Sequence, residues 1–518
     1  MVRIVAIGVV AGLTACAVGP NYRTPDTRLP ESFSGGALAG ESAPAAPAPA
    51  PAAPAPAPAS GADLASWWRS VGDEELNSLV DRAVKSNFDV EIALTRLQQA
   101  RTYEAVVAGH ALPQVDATAA EARGTGADLA RGRVGQPLLS ADNSTGLARI
   151  NTVAGFDAVW EIDLFGKYRR AFQAARFDAQ AAAAARYGVL TSVIADVVRA
   201  YIDLRGHQVA LGVLRQARGV LRESQRIVEQ RYERGFTNEL DVTLASRELD
   251  TLDAQIAPEE AQVDAAKNAI AELLGEFPGG IAAELSTPEL VPTTPAVAAP
   301  GIPLDLLKRR PDILEAERRL GAATARIGVA TADLFPQIAL VGSIGAQQGQ
   351  GAATGQMLGK HLWSFGPAAV WPLLDFGALD AEADIADLEA HASLVRYRST
   401  IVNAVREVDD AMHGYSAQRA RLDDLGQAML AGQRAVELAT QRYDRGLTDF
   451  LNVVDAERQY YELQEQYASA QVSAAEQYVE LYKSLGGGWQ NYLEVPAIRR
   501  PQPAIIAAFR RTLGSAGP

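Results

Sequence analysis

Apolar residues between Gly166 and Gly235 fall at Leu190, Ile194, Val197, Tyr201, Leu204, Leu211 and Leu214, mostly in alternating steps of four and three. Such steps keep one stripe of a helix apolar and form the seam of a coiled coil. The stretch holds no proline, so nothing removes a donor from the helical ladder. If continuous, its roughly 69 residues would extend about 100 Å at the α-helical rise. The pattern occurs again 211 residues on, as Ile401, Val405, Val408, Met412, Tyr415, Leu422 and Leu425. Each run stops at a glycine, Gly235 or Gly446, which suits the left-handed position after a helix. Thr237 and Thr448 stand where they can cap shorter return helices, about 238–274 and 449–485. Leu252, Ile256 and Ile270 of the first return helix are matched by Leu463, Tyr467 and Leu481 of the second. Pro258, with Ser469 at the equivalent place, predicts a kink in the first.

Ahead of each long run the period changes to two. Ile150, Thr152, Ala154, Phe156, Ala158 and Trp160 alternate with Asn151, Val153, Gly155, Asp157 and Val159. Ile338, Leu340, Gly342 and Ile344 alternate with Ala339, Val341 and Ser343. Segments of about ten residues, two per copy and separated by Gly-rich loops, have the length and period of outer-membrane barrel strands. By period alone they fit ordinary hairpins equally well. Four strands cannot close a barrel, so a barrel requires an oligomer.

The body is one unit written twice. Arg231-Tyr232-Glu233-Arg234-Gly235-Phe236-Thr237 returns as Arg442-Tyr443-Asp444-Arg445-Gly446-Leu447-Thr448, and Trp160, Phe165 and Gly166 return as Trp371, Phe376 and Gly377, both at an offset of 211. Leu112-Pro113-Gln114-Val115 returns as Phe335-Pro336-Gln337-Ile338 at an offset of 223. The first copy is therefore longer between Val115 and Trp160, where Gly124 to Gly146 reads as an extended loop. The expected organisation is a signal peptide at 1–15, a lipidated tether with a Pro/Ala-rich spacer at 16–62, and a first repeat at 63–285. A linker at 286–302, a second repeat at 303–489 and a C-terminal tail at 490–518 complete it.

Composition narrows the chemistry. Lys and Arg number 48 against 62 Asp and Glu, a net charge of −14, which argues against nucleic acid as a partner. A single cysteine excludes a disulfide framework and a cysteine-rich zinc site. His110, His207, His361, His391 and His413 show no paired metal spacing, so no metal or cofactor is expected. A hydrophobic share of 48% with only 7% aromatics suits long, closely packed helices better than a large enzyme core. No run of about 18 apolar residues occurs, so a membrane-spanning helix is not expected.

The one cysteine is placed as an anchor. Met1-Val2-Arg3 gives a basic start, Ile4 to Leu13 is apolar, and Leu13-Thr14-Ala15-Cys16 resembles a bacterial lipobox, whose cysteine thiol accepts diacylglycerol. The alternative is an ordinary signal peptide with an incidental cysteine. Ala17 follows where an aspartate would signal inner-membrane retention, which implies an outer-membrane destination. Several acyl chains hold a protein to a bilayer where one would not.

Taken together, the lipobox with Pro20-Asn21-Tyr22, Trp67-Trp68, Lys308-Arg309-Arg310-Pro311-Asp312-Ile313, Trp371-Pro372-Leu373-Leu374-Asp375-Phe376-Gly377 and Ser484-Leu485-Gly486-Gly487-Gly488-Trp489 resemble the outer membrane factors. These are the TolC-like efflux ducts, here of the NodT lipoprotein type, and the resemblance covers about residues 13–490. It implies a mixed α and membrane β-barrel fold: a homotrimer whose four strands per subunit form a 12-stranded barrel, continued by a long periplasmic α-helical barrel. It also implies a passive exit duct of a tripartite efflux pump. The duct sits in outer-membrane lipid and docks a periplasmic adaptor and an inner-membrane transporter, commonly of the resistance–nodulation–division class. The turns Gly235-Phe236-Thr237 and Gly446-Leu447-Thr448 resemble those that meet the adaptor. Leu451 and Asp455 match a constricting ring, apolar then acidic, and Asp241 a carboxylate that tethers the tips.

Two other readings compete. A coiled-coil envelope scaffold accounts for the helices and anchor but not for duplicated strands. An envelope enzyme has little support: Asp409-Asp410 and Asp423-Asp424 are adjacent on helices and point apart, and no GxSxG, P-loop or GxGxxG occurs. The anchor is directly testable. Mass spectrometry of the mature N-terminus should find residues 1–15 removed and Cys16 acylated, and Cys16→Ala should leave a protein that still inserts. An unmodified residue 16 would overturn the lipoprotein reading.

Overall fold

The computed structural model describes residues 17–26, 64–123, 147–295, 309–351 and 357–494. The signal sequence, Cys16, the Pro/Ala spacer, the Gly124–Gly146 loop and the tail after residue 494 lie outside the described residues. The first copy contains α1 (Glu74–Ser86), α2 (Phe88–His110), β1 (Gln114–Arg123), β2 (Leu147–Glu161), α3 (Lys167–Glu233) and α4 (Glu239–Leu273). The second contains α5 (Pro311–Ala332), β3 (Gln337–Gly351), β4 (Met357–Val370), α6 (Ala378–Asp444) and α7 (Leu451–Ser484). Helices α3 and α6 are each 67 residues long. The seam explains why: Leu190, Ile194, Val197, Tyr201 and Leu204 on α3, and Val408 and Met412 on α6, are buried. Helix α4 runs on through Pro258, so the expected kink does not end it.

Two compact units cut across the repeats. One takes residues 97–185 and 311–403 with the N-terminal segment; the other takes 186–310 and 404–518 with the stretch before Leu97. The first unit holds the strands, which form one antiparallel sheet in the order β1-β2-β3-β4, so the copies meet at β2–β3. β2, β3 and β4 are 15, 15 and 14 residues long, beyond the ten expected; in β3 the backbone pairing continues into glycine- and glutamine-rich sequence that has no apolar alternation.

Residues 17–26, expected as a loose tether, are docked on this unit. The Val18 N–H donates to the Phe165 carbonyl at 3.0 Å, while Arg170 donates to the carbonyls of Val18 at 3.0 Å and Gly19 at 2.9 Å. Gly19 has a φ of +83° and lies so close to Gly328 that a Cβ on it would fall 2.5 Å from the Gly328 Cα. Tyr22 packs edge-on against Phe177 at 5.4 Å and donates to Glu317 at 3.2 Å. Burial of the phenol pushes its pKa up to about 12.

The second unit is helical. Trp67 and Trp68 are buried, and Trp67 stacks on Tyr482 at 5.5 Å between ring centroids. Gly486-Gly487-Gly488 ends α7 and lets the chain pass against Trp67, where a Cβ on Gly487 would approach the indole to 3.1 Å. Arg205, fully buried on α3, is held by Glu75, by Glu289 at 3.2 Å, by the Thr287 carbonyl at 2.9 Å and by the Tyr201 hydroxyl. One stretch of α3 is apolar and long enough to cross a bilayer, against the sequence expectation, but more than half of it is buried inside the molecule. It is a core helix.

Glu457 on α7 is only 4% exposed. One carboxylate oxygen accepts from Ser224 of α3 at 3.2 Å and the other has no hydrogen-bond partner. Desolvation first, then the nearby Glu248 of α4, hold its pKa above the usual carboxylate range. The folded state therefore binds this proton more tightly than the unfolded chain, so the group's contribution to stability is largest at acid pH and declines as pH rises through the raised value. Glu457→Gln should stabilise the protein at neutral pH by roughly 1 kcal/mol, the scale of an unmet buried polar group. It should also flatten the pH dependence of thermal unfolding. A less stable variant at pH 7 would show that the ionised carboxylate is satisfied.

Candidate functional site

The sheet is apolar on the side that a water-soluble protein would cover. Phe156, Ile344 and Trp363 lie in cross-strand register, with Phe365 two residues beyond Trp363 on the same face, and all four are exposed. Trp363 is 76% exposed. The opposite face is polar: Thr118 donates to Asp157 at 3.2 Å, and Ser343 and Ser364 share a hydrogen bond of 2.8 Å. Aromatics outward and hydroxyls inward is the arrangement of a barrel wall with lipid outside and water inside. Trp160 and Trp371 donate their indole N–H groups to the carbonyls of Ala111 and Leu334, fastening each copy's helix–strand turn in the same way.

The second unit carries the turns at the far ends of the long helices. Gly235 and Gly446 have φ values of +73° and +69°. Phe236 N–H bonds the Arg231 carbonyl and Gly235 N–H that of Tyr232; Leu447 and Gly446 repeat both bonds to Arg442 and Tyr443. Both turns are Schellman motifs, which only a left-handed residue at that position allows. Phe236 and Leu447 point away from the protein, 71% and 64% exposed. Beneath them Val228, Ala245, Tyr443, Phe450, Val453 and Val454 form one buried cluster, which joins the hairpins of the two copies. Arg231 of the first copy lies over the ring of Tyr443 of the second, 4.4 Å from its centroid.

The threonines do not cap. Asn238 caps α4, its side chain accepting from the Asp241 N–H at 3.2 Å, while the Thr237 hydroxyl donates to the Asp241 carboxylate instead. α7 starts at Phe450 with no side-chain cap, and the Thr448 hydroxyl is buried without a hydrogen-bond partner. The physical reason is one of position: each helix begins a residue or more later than expected, so the threonine falls outside capping reach. Leu451 and Asp455 share a face at the start of α7, and Leu451 is 56% exposed. Asp455 pairs with Arg458 and Gln459, both at 2.8 Å. Among the described residues no hydrogen bond or ion pair joins Asp241 to this turn. Sequence reasoning missed Arg231, Tyr443 and Arg458; the repeated Arg-Tyr pair was the signal that could have found the first two.

Comparison with known proteins agrees with this geometry. The family profile of outer membrane efflux proteins matches residues 79–276 and 302–487. The chain is 29% identical to nodulation protein T of Rhizobium leguminosarum bv. viciae over 97% of its length and 96% of the relative's. It is 30% identical to outer membrane protein OprJ of Pseudomonas aeruginosa, covering 92% of this chain and 94% of OprJ. The solved outer-membrane channel OprN superposes with a TM-score of 0.77 at 33% identity, over 92% of this chain and all of that one. With the profile matched over most of its length and relatives alike from end to end, the chain belongs to the outer membrane efflux protein family and is a channel component of an efflux pump in the outer membrane.

Proposed function

We propose that three copies close a single exit duct, their four-stranded sheets forming a 12-stranded barrel and their long helices continuing it into the periplasm. The observation that carries this reading is the aromatic face of a sheet whose two edge strands have no outer partner among the described residues. Oligomeric closure satisfies the edges, and lipid covers the aromatics. The duct is passive. It receives drugs or other small toxic solutes from an inner-membrane transporter, of the resistance–nodulation–division type, through a periplasmic adaptor. Phe236 and Leu447 are its adaptor contacts, because exposed apolar side chains on rigid Schellman turns gain free energy only when a partner covers them. A scaffold without a pore has no use for the aromatic face.

In the closed duct, Leu451 and Asp455 narrow the periplasmic end, and Asp241 steadies the neighbouring tip. Threefold symmetry brings three Asp455 carboxylates together, which attracts cations and penalises full ionisation. Arg458, paired with each Asp455, moderates that repulsion.

Two experiments test this assignment. Phe236→Asp with Leu447→Asp removes two exposed apolar contacts, which at about 1.5 kcal/mol or more each should weaken adaptor docking at least tenfold. Adaptor-dependent efflux should fall with trimer yield unchanged; wild-type efflux at equal expression would remove these turns from the interface. Leu451→Ala with Asp455→Ala should raise single-channel conductance in planar bilayers and weaken block by divalent cations. If both stay at wild-type values in confirmed trimers, the constriction lies elsewhere.

A further inference from the structure

The seam that joins the two hairpins is apolar on both sides of Glu457. Toward the turns, Val228 of α3, Ala245 of α4 and Val453 and Val454 of α7 are buried together. Away from the turns, Ala217 and Leu221 of α3 and Leu252 of α4 form a second buried cluster, with Leu249 and Tyr461 packed against it. Glu457 lies between the two clusters on α7, beside Ser224 of α3 and Glu248 of α4.

The fold does not demand an acid at this place. At the offset of 211, position 457 corresponds to Ser246 in the first copy. There the Ser246 hydroxyl accepts from the Gln225 side-chain amide at 3.2 Å, a neutral contact. A carboxylate that costs stability where a neutral residue serves its twin has its use elsewhere.

The groups around Glu457 leave it short of positive charge. On α3 the facing residues are Leu221, Ser224 and Val228, none of them charged. α4 brings Glu248, a like charge that Arg247 approaches at 3.6 Å. On α7 itself, Arg458 is committed to Asp455 at 2.8 Å and Glu462 at 2.6 Å, and burial keeps the Tyr461 phenol neutral. α6 brings Ala439 and the phenol of Tyr443 to the cluster nearer the turns. A carboxyl group so placed has two ways to lower its energy. It can bind a proton and stay in the seam, or ionise and reach water by moving α7 away from α3 and α4.

The second course moves more than one side chain. α7 is one helix from Leu451 to Ser484, so Leu451, Asp455 and Glu457 shift as a body. Leu451 stands six residues before Glu457, about 9 Å along the axis. We propose that Glu457 is a positioning residue for the periplasmic constriction: its neutral carboxyl keeps the start of α7 packed in the seam, and its carboxylate releases it. This rests on the constriction assigned above to Leu451 and Asp455. The packed form holds the proton more tightly than the released form, so rising pH favours release and acid favours the constricted duct. The ratio of the two forms changes by up to about tenfold per pH unit for each chain that moves.

The experiment records single-channel conductance of the full-length protein in planar bilayers from about pH 4.5 to 8.5, a window that begins near the ordinary carboxylate range. Every protein compared carries Asp455→Asn, which removes the constriction's own carboxylate as a source of pH dependence. In that parent, conductance should rise with pH through one midpoint. Glu457→Gln should hold it at the low level throughout. Ser224→Ala removes the hydroxyl that favours the charged form, so the midpoint should move to higher pH. Glu248→Gln removes a like charge, so the midpoint should move to lower pH. A general loosening of the seam does not shift the midpoint in opposite directions. A midpoint that neither variant moves, or a pH dependence that survives Glu457→Gln, overturns the proposal. Protection of the 455–461 amides against hydrogen exchange separates the two levels. Protection that falls with pH while conductance stays flat removes the constriction from Leu451 and leaves the release of α7 standing. Protection and conductance that are both flat overturn the release itself.

Discussion

A backbone N–H or C=O in hydrocarbon has no water to turn to, and leaving one unpaired costs several kcal/mol. The strand-bearing unit is organised around that constraint. β2 and β3 are paired on both sides, while β1 and β4 each present an edge. The same constraint explains the side chains. Phe156, Ile344, Trp363 and Phe365 tolerate lipid on one face, and the hydroxyls of Thr118, Ser343 and Ser364 find partners on the other. Strand order, exposed aromatics and inward hydroxyls are therefore one solution to one problem.

The helical unit answers a different demand, which is length without strain. Sixty-seven residues of uninterrupted helix stay folded because a seam of Leu, Ile, Val and Tyr is buried along them. The largest polar group in this core enters it with partners. Arg205 is held by Glu75 of α1, by Thr287 and Glu289 of the segment after α4 and by Tyr201 of its own helix, so its burial ties α1 and that segment to the long helix. Paired through both terminal nitrogens, it fixes where these pieces meet rather than adding much net stability.

Much of this was legible in the sequence, and the limits have physical causes. The duplication, the seam and the glycine stops were visible because each depends on side-chain type at a fixed spacing. Gly235 and Gly446 are needed for their φ, and only glycine supplies that cheaply. The docked N-terminal segment was not visible, since Arg170 grips the carbonyls of Val18 and Gly19, and a carbonyl acceptor leaves no mark on residue identity. Arg231 and Tyr443 recurred in the motif, but the ring that Arg231 covers belongs to the other copy, and no local pattern shows that. Glu457 reads as a solvated helix position until Ser224 and Glu248 are seen packed around it. The capping threonines failed because a shift of one residue in a helix start decides which side chain reaches the free N–H groups.

Those unequal helix starts separate two hairpins that are otherwise twins. Asn238 closes the first turn of α4, and Thr237 braces Asp241 within it. α7 opens after Phe450 with no side-chain cap: the N–H groups of Asn452, Val453 and Val454 donate to the carbonyls of Asp449 and Phe450, and the Thr448 hydroxyl is stranded. The first hairpin is thus closed by side chains and the second by backbone carbonyls alone. Gene duplication has left one fingertip latched by side chains and one latched by backbone alone, and the second carries Leu451 and Asp455.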